Sequence, residues 1–103
     1  MAEPSPSTWE VRIVTKGPYG SVIYQEGSHS ASFLWEFGGG EIIAIIHLTP
    51  SFEWNEQLPW AAGRRDEVLE RMVNDVIRQK CHDCVASIIE KHGRSYVHFH
   101  KRE

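Results

Sequence analysis

Two cysteines form the sharpest local motif of the chain, Cys81-His-Asp-Cys84. A Cys-x-x-Cys pair can be a redox couple or half of a zinc site. Redox pairs lie at the N-terminus of a helix, where the positive end of the helix dipole lowers the pKa of the thiol. This pair follows the end of a predicted helix, and the negative dipole end there disfavours a thiolate. A thioredoxin-like role is therefore not expected.

A zinc site would need two further ligands, and His98 and His100 are the first candidates. Strand alternation opposes this set, because Cys84 would lie on one face of its strand and both histidines on the other. A bend at Cys84 would rescue the site, and so would the use of His82 and His92 as ligands. Otherwise the cysteines are small, mostly buried residues at a helix–strand junction.

Tyr96, His98 and His100 alternate along a second strand and form a stripe on one of its faces. Such a stripe is typical of a partly exposed sheet face, and it can also be a pH-sensitive or partner-facing patch. The sequence contains no Ser-His-Asp, Cys-His or paired-carboxylate set with motif support. We therefore predict no catalytic residues and no cofactor.

Tryptophan and arginine come together in the middle of the chain. Four tryptophans are present, and Trp54 and Trp60 fall in a stretch with loop-like composition, whereas Trp9 and Trp35 fit a small core. Arg64 and Arg65 follow closely, although arginines beside a helix start oppose the helix dipole. Their ordinary role would be salt bridges to Asp66, Glu67 or the linker acids. The alternative is a binding surface, since tryptophan and arginine are typical of interface hot spots.

Three glycines, Gly38 to Gly40, separate two apolar runs. Phosphate-binding loops lead from a strand into a helix, whose first N–H groups hold the anion. The residues that follow, Glu41 to Leu48, are β-branched and too uniformly apolar for an amphipathic helix. The glycines therefore predict a hairpin turn. A three-residue loop would pair Trp35 with Ile43, although apolar residues on both faces of the second strand leave the register open.

Composition and charge narrow the class of protein. The chain has 103 residues, which fits one domain, and a net charge of −3, which does not favour nucleic acid or an anionic membrane. No apolar run reaches the length of a membrane span. Residues 1–8 have the composition of a disordered lead without the features of a secretory signal, which leaves 9–103 as the single domain. The expected location is the cytoplasm.

Hydrophobic periodicity predicts strands at 9–14, 22–26 and 31–37, followed by the strand after the glycines. The segment Thr49 to Trp60 is predicted to be a linker, with a short turn beginning at Ser51. The one clear helix runs from Arg65 to Lys80, because its apolar residues form a single stripe. Two strands, at 85–90 and 95–101, then flank a turn at His92 and Gly93.

The predicted order is ββββ-α-ββ, an α+β fold with a mainly antiparallel sheet and one long amphipathic helix packed on it. The strand Ile42–Ile46 is apolar on both faces, which is typical of a central, covered strand. Something must therefore cover its second face, such as a helix or a partner chain.

Three segments resemble small stand-alone bacterial proteins of unassigned function. They are Trp35-Glu-Phe-Gly-Gly-Gly40, Pro59-Trp-Ala-Ala-Gly-Arg-Arg65 and Arg78-Gln-Lys80, and the resemblance extends from about Trp9 to Phe99. It implies a bacterial cytoplasmic origin and transfers no catalytic assignment to any residue. Small acidic bacterial proteins include immunity proteins that neutralise toxins.

The leading hypothesis is a non-enzymatic protein–protein binding module, immunity-like or regulatory. Its predicted binding residues are Trp54, Trp60, Arg64 and Arg65. The alternative is a small metal-binding protein or enzyme, with Cys81, Cys84, His98 and His100 as ligands. A third hypothesis is a homodimer that pairs an edge strand or covers the free face of Ile42–Ile46.

Overall fold

A computed structural model describes residues 8–102, and the predicted lead lies almost wholly outside them. The fold is α+β with six antiparallel strands and two helices, so the predicted order ββββ-α-ββ is confirmed with one short helix added. In chain order the elements are β1 (Trp9–Lys16), β2 (Tyr19–Glu26), β3 (His29–Phe37), β4 (Ile42–Leu48), α1 (Ser51–Gln57), a 3₁₀ turn (Pro59–Ala61), α2 (Arg65–Lys80), β5 (Cys84–Lys91) and β6 (Arg94–Lys101).

The sheet has the strand order β1-β2-β3-β4-β6-β5, so β1 and β5 are its edges. Alternate residues of the strands point to one side, where they are buried. They form a single core with residues of α1, the 3₁₀ turn and α2. Complete burial of an aliphatic side chain such as Ile46 or Val97 contributes about 1.5–3 kcal/mol.

Helix α2 has the predicted bounds and places its apolar stripe on the core. It contacts both edge strands, so the sheet curls around it. Its first residue, Arg65, bonds to Glu90 near the end of β5, and its last residue lies shortly before Cys84, where β5 begins. The helix therefore runs along the sheet antiparallel to β5. Among residues 8–102, every core residue of a strand lies on the helix side, and the other side of the sheet is uncovered.

The predicted linker was wrong, because Thr49–Trp60 contains α1 and the start of the 3₁₀ turn. The cause is Trp54, which is 1% exposed and packs into the core. Its indole Nε1 donates a hydrogen bond of 2.9 Å to the carbonyl of Ala61. A buried anchor of this size holds a short helix that has no side-chain cap at its N-terminus.

The triple glycine joins β3 to β4 in a hairpin, as predicted, and the structure defines the register that the sequence left open. Trp35 pairs with Ile46, and not with Ile43, because the loop is longer than three residues. Gly38 donates to the Ile43 carbonyl at 3.0 Å and so closes the loop. Gly40 has a φ of 65°, which residues with a side chain rarely adopt.

The hairpin between β5 and β6 turns at His92 and Gly93, as predicted. On the helix side of this hairpin, Val97 and Phe99 are buried, whereas Ile88 is 51% exposed. The difference arises because Val97 and Phe99 lie on an inner strand and Ile88 lies on the edge strand.

No helix within the described part of the chain is both long enough and apolar enough to span a membrane.

The glycine hairpin allows a matched pair of substitutions. In Gly38→Ala the new Cβ would lie 2.2 Å from the backbone oxygen of Ile42, so the backbone must shift. We expect a loss of about 1–3 kcal/mol in the free energy of unfolding. Gly39→Ala meets no atom within 4 Å and serves as the control, with an expected change within about 0.5 kcal/mol. Urea denaturation measures both, and equal losses would contradict the assigned loop geometry.

Candidate functional site: the open face of the sheet

The uncovered side of the sheet carries an unusual set of side chains at its centre. Strand alternation brings them to this side, opposite the helices. We call this set the open face, and it consists of Ile43, Ile45, His47, Tyr96, His98 and His100. Apart from Ile43, which is 37% exposed, its members are half-buried by one another and by their neighbours. Two adjacent strands, β4 and β6, therefore supply an apolar surface with three imidazoles.

Contacts between the aromatic rings order this surface. The ring of His47 meets that of Tyr96 edge-on, with 5.2 Å between centroids, and Tyr96 lies 6.0 Å from His98. His47 Nε2 is 3.3 Å from a carboxylate oxygen of Glu36 on β3, although not in hydrogen-bond alignment. His100 Nε2 lies 3.4 Å from the hydroxyl of Ser87.

A β-bulge shapes one end of the open face. The pairing between β4 and β6 shifts between Ile42 and Ala44, so Ile42 and Ile43 both border the same depression of about 800 Å³. Lys101 and Arg102 border it as well, together with Glu41. The depression therefore combines exposed apolar groups with cationic side chains at its rim.

The predicted binding residues lie elsewhere and are largely engaged within the fold. The side chain of Trp54 is in the core, so it cannot contribute to a surface. Arg65 forms an ion pair with Glu90, with 2.9 Å between Nη2 and a carboxylate oxygen, and donates a hydrogen bond to the hydroxyl of Ser95 at 3.2 Å. Its guanidinium also lies over the ring of Trp54, 5.9 Å from the centroid. Arg65 thus ties the start of α2 to β5 and β6.

Arg64 is the main partner of a buried carboxylate, Glu26, which is 3% exposed. Two guanidinium nitrogens donate to the two oxygens of Glu26 at 2.7 and 2.8 Å, a bidentate pair. The Nε of Arg64 donates to Glu67 at 2.6 Å. The salt bridge expected with Glu67 is therefore present, and Glu26 is the partner that sequence reasoning missed.

Glu26 accepts two further hydrogen bonds, from the Tyr24 hydroxyl at 2.6 Å and from Arg71 at 3.1 Å. The bonds from Arg64 hold the pKa of Glu26 below its usual value. Burial, and then the bond to Glu26, raises the pKa of Tyr24 to about 12. Shifted pKa values can mark active sites. Here the carboxylate is 3% exposed and already accepts four hydrogen bonds from within the fold, so we assign the cluster a structural role.

Trp60 is the predicted binding residue that stays half-exposed. Its ring stacks on His29 with 5.2 Å between centroids and on Tyr24 with 6.4 Å. Tyr24 in turn stacks on Trp9, and Arg71 lies over the Trp9 ring. Trp60 therefore ends a row of aromatic rings beside the Glu26 cluster. The structure does not bring its ring together with the open face.

The two cysteines form a disulfide, Cys81–Cys84. The sequence instead indicated metal ligands or small buried residues. Cys84 points into the core, whereas His98 and His100 belong to the open face on the other side of the sheet. The proposed ligand set is therefore divided between two sides. Within residues 8–102, no group of three or more histidine, cysteine or acidic side chains is arranged to hold a metal ion.

Asp75 of α2 is a second buried carboxylate. Its carboxylate accepts hydrogen bonds from Arg78 and from Gln79. Gln79 also donates to the Val11 carbonyl at 2.9 Å. A signal for Glu26 was present, because strand alternation places it on the same face as Val22 and Tyr24.

Removal of the Glu26 charge tests the structural role of the cluster. In Glu26→Gln, two arginines keep their charges without the carboxylate that neutralises them. We expect the free energy of unfolding to fall by about 3 kcal/mol. The control is Glu67→Gln, since Glu67 is more exposed, with an expected loss below about 1 kcal/mol. Urea denaturation at neutral pH measures both, and similar losses would show that Glu26 is not the centre of the cluster.

Acid should weaken the same cluster. Because the pKa of Glu26 is lowered in the folded state, its contribution is complete above its ordinary value of 4.5 and is lost as the pH falls through the lowered value. We expect the wild-type protein to lose stability below pH 4.5 more steeply than Glu26→Gln. Unfolding free energies at stepwise lower pH measure this difference, and parallel curves would contradict it.

Comparisons with known proteins give no family for this chain. No family model matches it, and neither a curated protein nor a solved structure does. The resemblance to small bacterial proteins noted from the sequence thus stays a prediction.

Proposed function

We propose that this protein is a protein-binding module, without catalytic activity of its own, and that the open face is its binding surface. The observation that carries the proposal is the uncovered apolar centre of the sheet. Ile43 and Ile45 belong to a central strand whose other face is fully packed. A strand that is apolar on both faces is typically covered on both.

The polar groups of the open face indicate the chemistry of the partner. His47, His98 and His100 offer ring nitrogens that can donate hydrogen bonds, and Lys101 and Arg102 add positive charge at the rim. Two acidic residues are also present: Glu36 lies close to His47, and Glu41 lies at the rim of the depression. We infer that the partner presents apolar side chains flanked by aspartate or glutamate. The apolar side chains match the isoleucines of the open face, and the carboxylates match its histidines and cationic rim.

The arginines first predicted for binding, Arg64 and Arg65, are engaged within the fold, and this favours the open face as the binding surface. Arg64 and Arg65 form ion pairs with Glu26, Glu67 and Glu90, so they contribute to stability rather than to a free surface. Among the described residues, the histidines of the open face have fewer polar neighbours: Glu36 lies near His47, and the Ser87 hydroxyl lies near His100. An immunity-like or regulatory role is a more specific form of the same proposal.

Selection from a displayed library of random short peptides tests the proposal with a defined probe. Wild-type protein should enrich peptides that combine Asp or Glu with Leu, Ile or Phe. Binding should weaken at least about tenfold for Ile43→Ser, which removes apolar contact, and for His98→Leu, which removes the ring donors but keeps bulk. Fluorescence anisotropy of a selected peptide measures both.

Phe52→Ser is the matched control, because Phe52 is 73% exposed on α1, away from the open face. Its affinity for the selected peptide should equal that of the wild type. Enrichment without acidic residues, affinity unchanged in Ile43→Ser, or an equal loss in Phe52→Ser would each reject the proposal. Amide chemical shifts on peptide addition should change in β4 and β6.

A further inference from the structure

The two edges of the sheet are protected very differently. On the outer side of β1, the Val11 carbonyl accepts a hydrogen bond from Gln79 of α2. Charged residues Glu10, Arg12 and Lys16 also alternate along this strand. Charges and a covering element are the usual means by which proteins prevent an edge from pairing with another chain. The β1 edge is therefore closed to strand addition.

The direction of the backbone groups in β5 follows from two observations. Arg102 N–H donates to the Asp83 carbonyl at 2.6 Å, so the peptide groups of residue 83 face β6. Since antiparallel strands alternate hydrogen-bonded and non-hydrogen-bonded pairs, residues 85, 87 and 89 also face β6. Ala86, Ile88 and Glu90 then direct their N–H and C=O groups away from the sheet. Outside the strand ladder, no backbone hydrogen bond between described residues involves these three.

The composition of the β5 edge suits pairing with another strand. From Cys84 to Ile89 it contains no charge, no proline and no glycine. Ile88 is the exposed apolar residue on the helix side of this edge. Glu90, the acid near the end of β5, is neutralised by Arg65. Such an edge lacks the devices that keep β1 from pairing.

We propose that β5 pairs antiparallel with β5 of a second copy of this chain around a two-fold axis at Ser87. This inference is independent of the proposed function of the open face. Residues that lie opposite each other on antiparallel strands have side chains on the same face of the sheet. A two-fold axis between two copies of one strand must therefore pass between a residue and the same residue of the second copy. With Ser87 opposite Ser87 of the second copy, Ala86 lies opposite Ile88 and Val85 lies opposite Ile89.

Self-complementarity favours a second copy over an unrelated strand. In this register the outward N–H groups of Ala86, Ile88 and Glu90 meet outward carbonyls of the other copy, giving about six backbone hydrogen bonds. The exposed Ile88 is covered by Ala86. Lys91 comes beside Asp83 of the second copy, which pairs opposite charges at both ends of the interface. Edge pairing of this limited area is typical of micromolar affinity.

Charged residues at the axis test the register directly. In Ser87→Lys, the two lysines of a dimer would lie opposite each other, and in Ser87→Asp the two aspartates would do so. We expect wild-type protein to show a monomer–dimer equilibrium by sedimentation at micromolar to millimolar concentration. Each variant alone should dimerise at least about tenfold more weakly. An equimolar mixture of the two should restore dimers, because opposite charges then meet.

Restoration in the mixture separates loss of pairing from loss of folding, since unfolded variants would not recover. Ser87 is exposed, and circular dichroism of each variant should match the wild type. Wild-type protein that stays monomeric throughout, or a mixture that behaves as the sum of its parts, would overturn the proposal. A wild-type dimer unaffected by either charge would place the interface elsewhere and would also overturn it.

Discussion

The buried carboxylate of Glu26 is the interaction on which the arrangement of helix and sheet depends. It lies at the end of β2 and receives hydrogen bonds from Arg64 just before α2 and from Arg71 inside it. Apolar packing is non-directional and tolerates sliding of a helix along a sheet. A bidentate ion pair does not allow such sliding, because it fixes both the distance and the orientation of its two partners. Here it joins residues 38 positions apart in the chain. The cluster thus sets the position of α2 along the strands.

The position of α2 determines which surfaces remain for other molecules. A helix of 16 residues is about 24 Å long, close to the length of an eight-residue strand. One such helix, with the short α1 beside it, fills one side of a six-stranded sheet that curls around it. No helix is left in residues 8–102 for the other side. The open face is therefore uncovered for two reasons. The helices of residues 8–102 are sufficient for one side of the sheet, and Glu26 holds α2 on that side.

Local patterns predicted the elements well and their partners poorly. The bounds of α2 followed from its apolar stripe with acids in the first turn and bases in the last. The β5–β6 turn followed from His92-Gly93. The β3–β4 register could not be predicted because both faces of β4 are apolar, so a shift of the strand exposes no polar residue to the core. Helix α1 was missed because its short sequence depends on the burial of one residue, Trp54.

For the candidate site as well, features set by neighbouring residues in the chain could be predicted, whereas contacts between distant residues could not. Alternation of Tyr96, His98 and His100 correctly gave one strand face, because side-chain direction in a strand is a local property. The salt bridge of Arg64 with Glu67 could be predicted, but the partners Glu26 and Glu90 could not, since they lie on distant strands. Tryptophan and arginine near each other are typical of interface hot spots, yet the same residue types build buried ion pairs. Only the fold distinguishes the two.

One helix also accounts for the difference between the two edges of the sheet. Its C-terminal turn lies against β1, where Gln79 joins the Val11 carbonyl to the buried Asp75. Its N-terminal turn meets β5 only near the far end, through Arg65 and Glu90. The middle of β5 is therefore left without a covering side chain, and Ile88 is exposed there. Since β5 carries no charge between Cys84 and Ile89 to repel a neighbour, the two edges differ because Gln79 of α2 bonds to the β1 backbone, whereas Arg65 contacts β5 only at its Glu90 end.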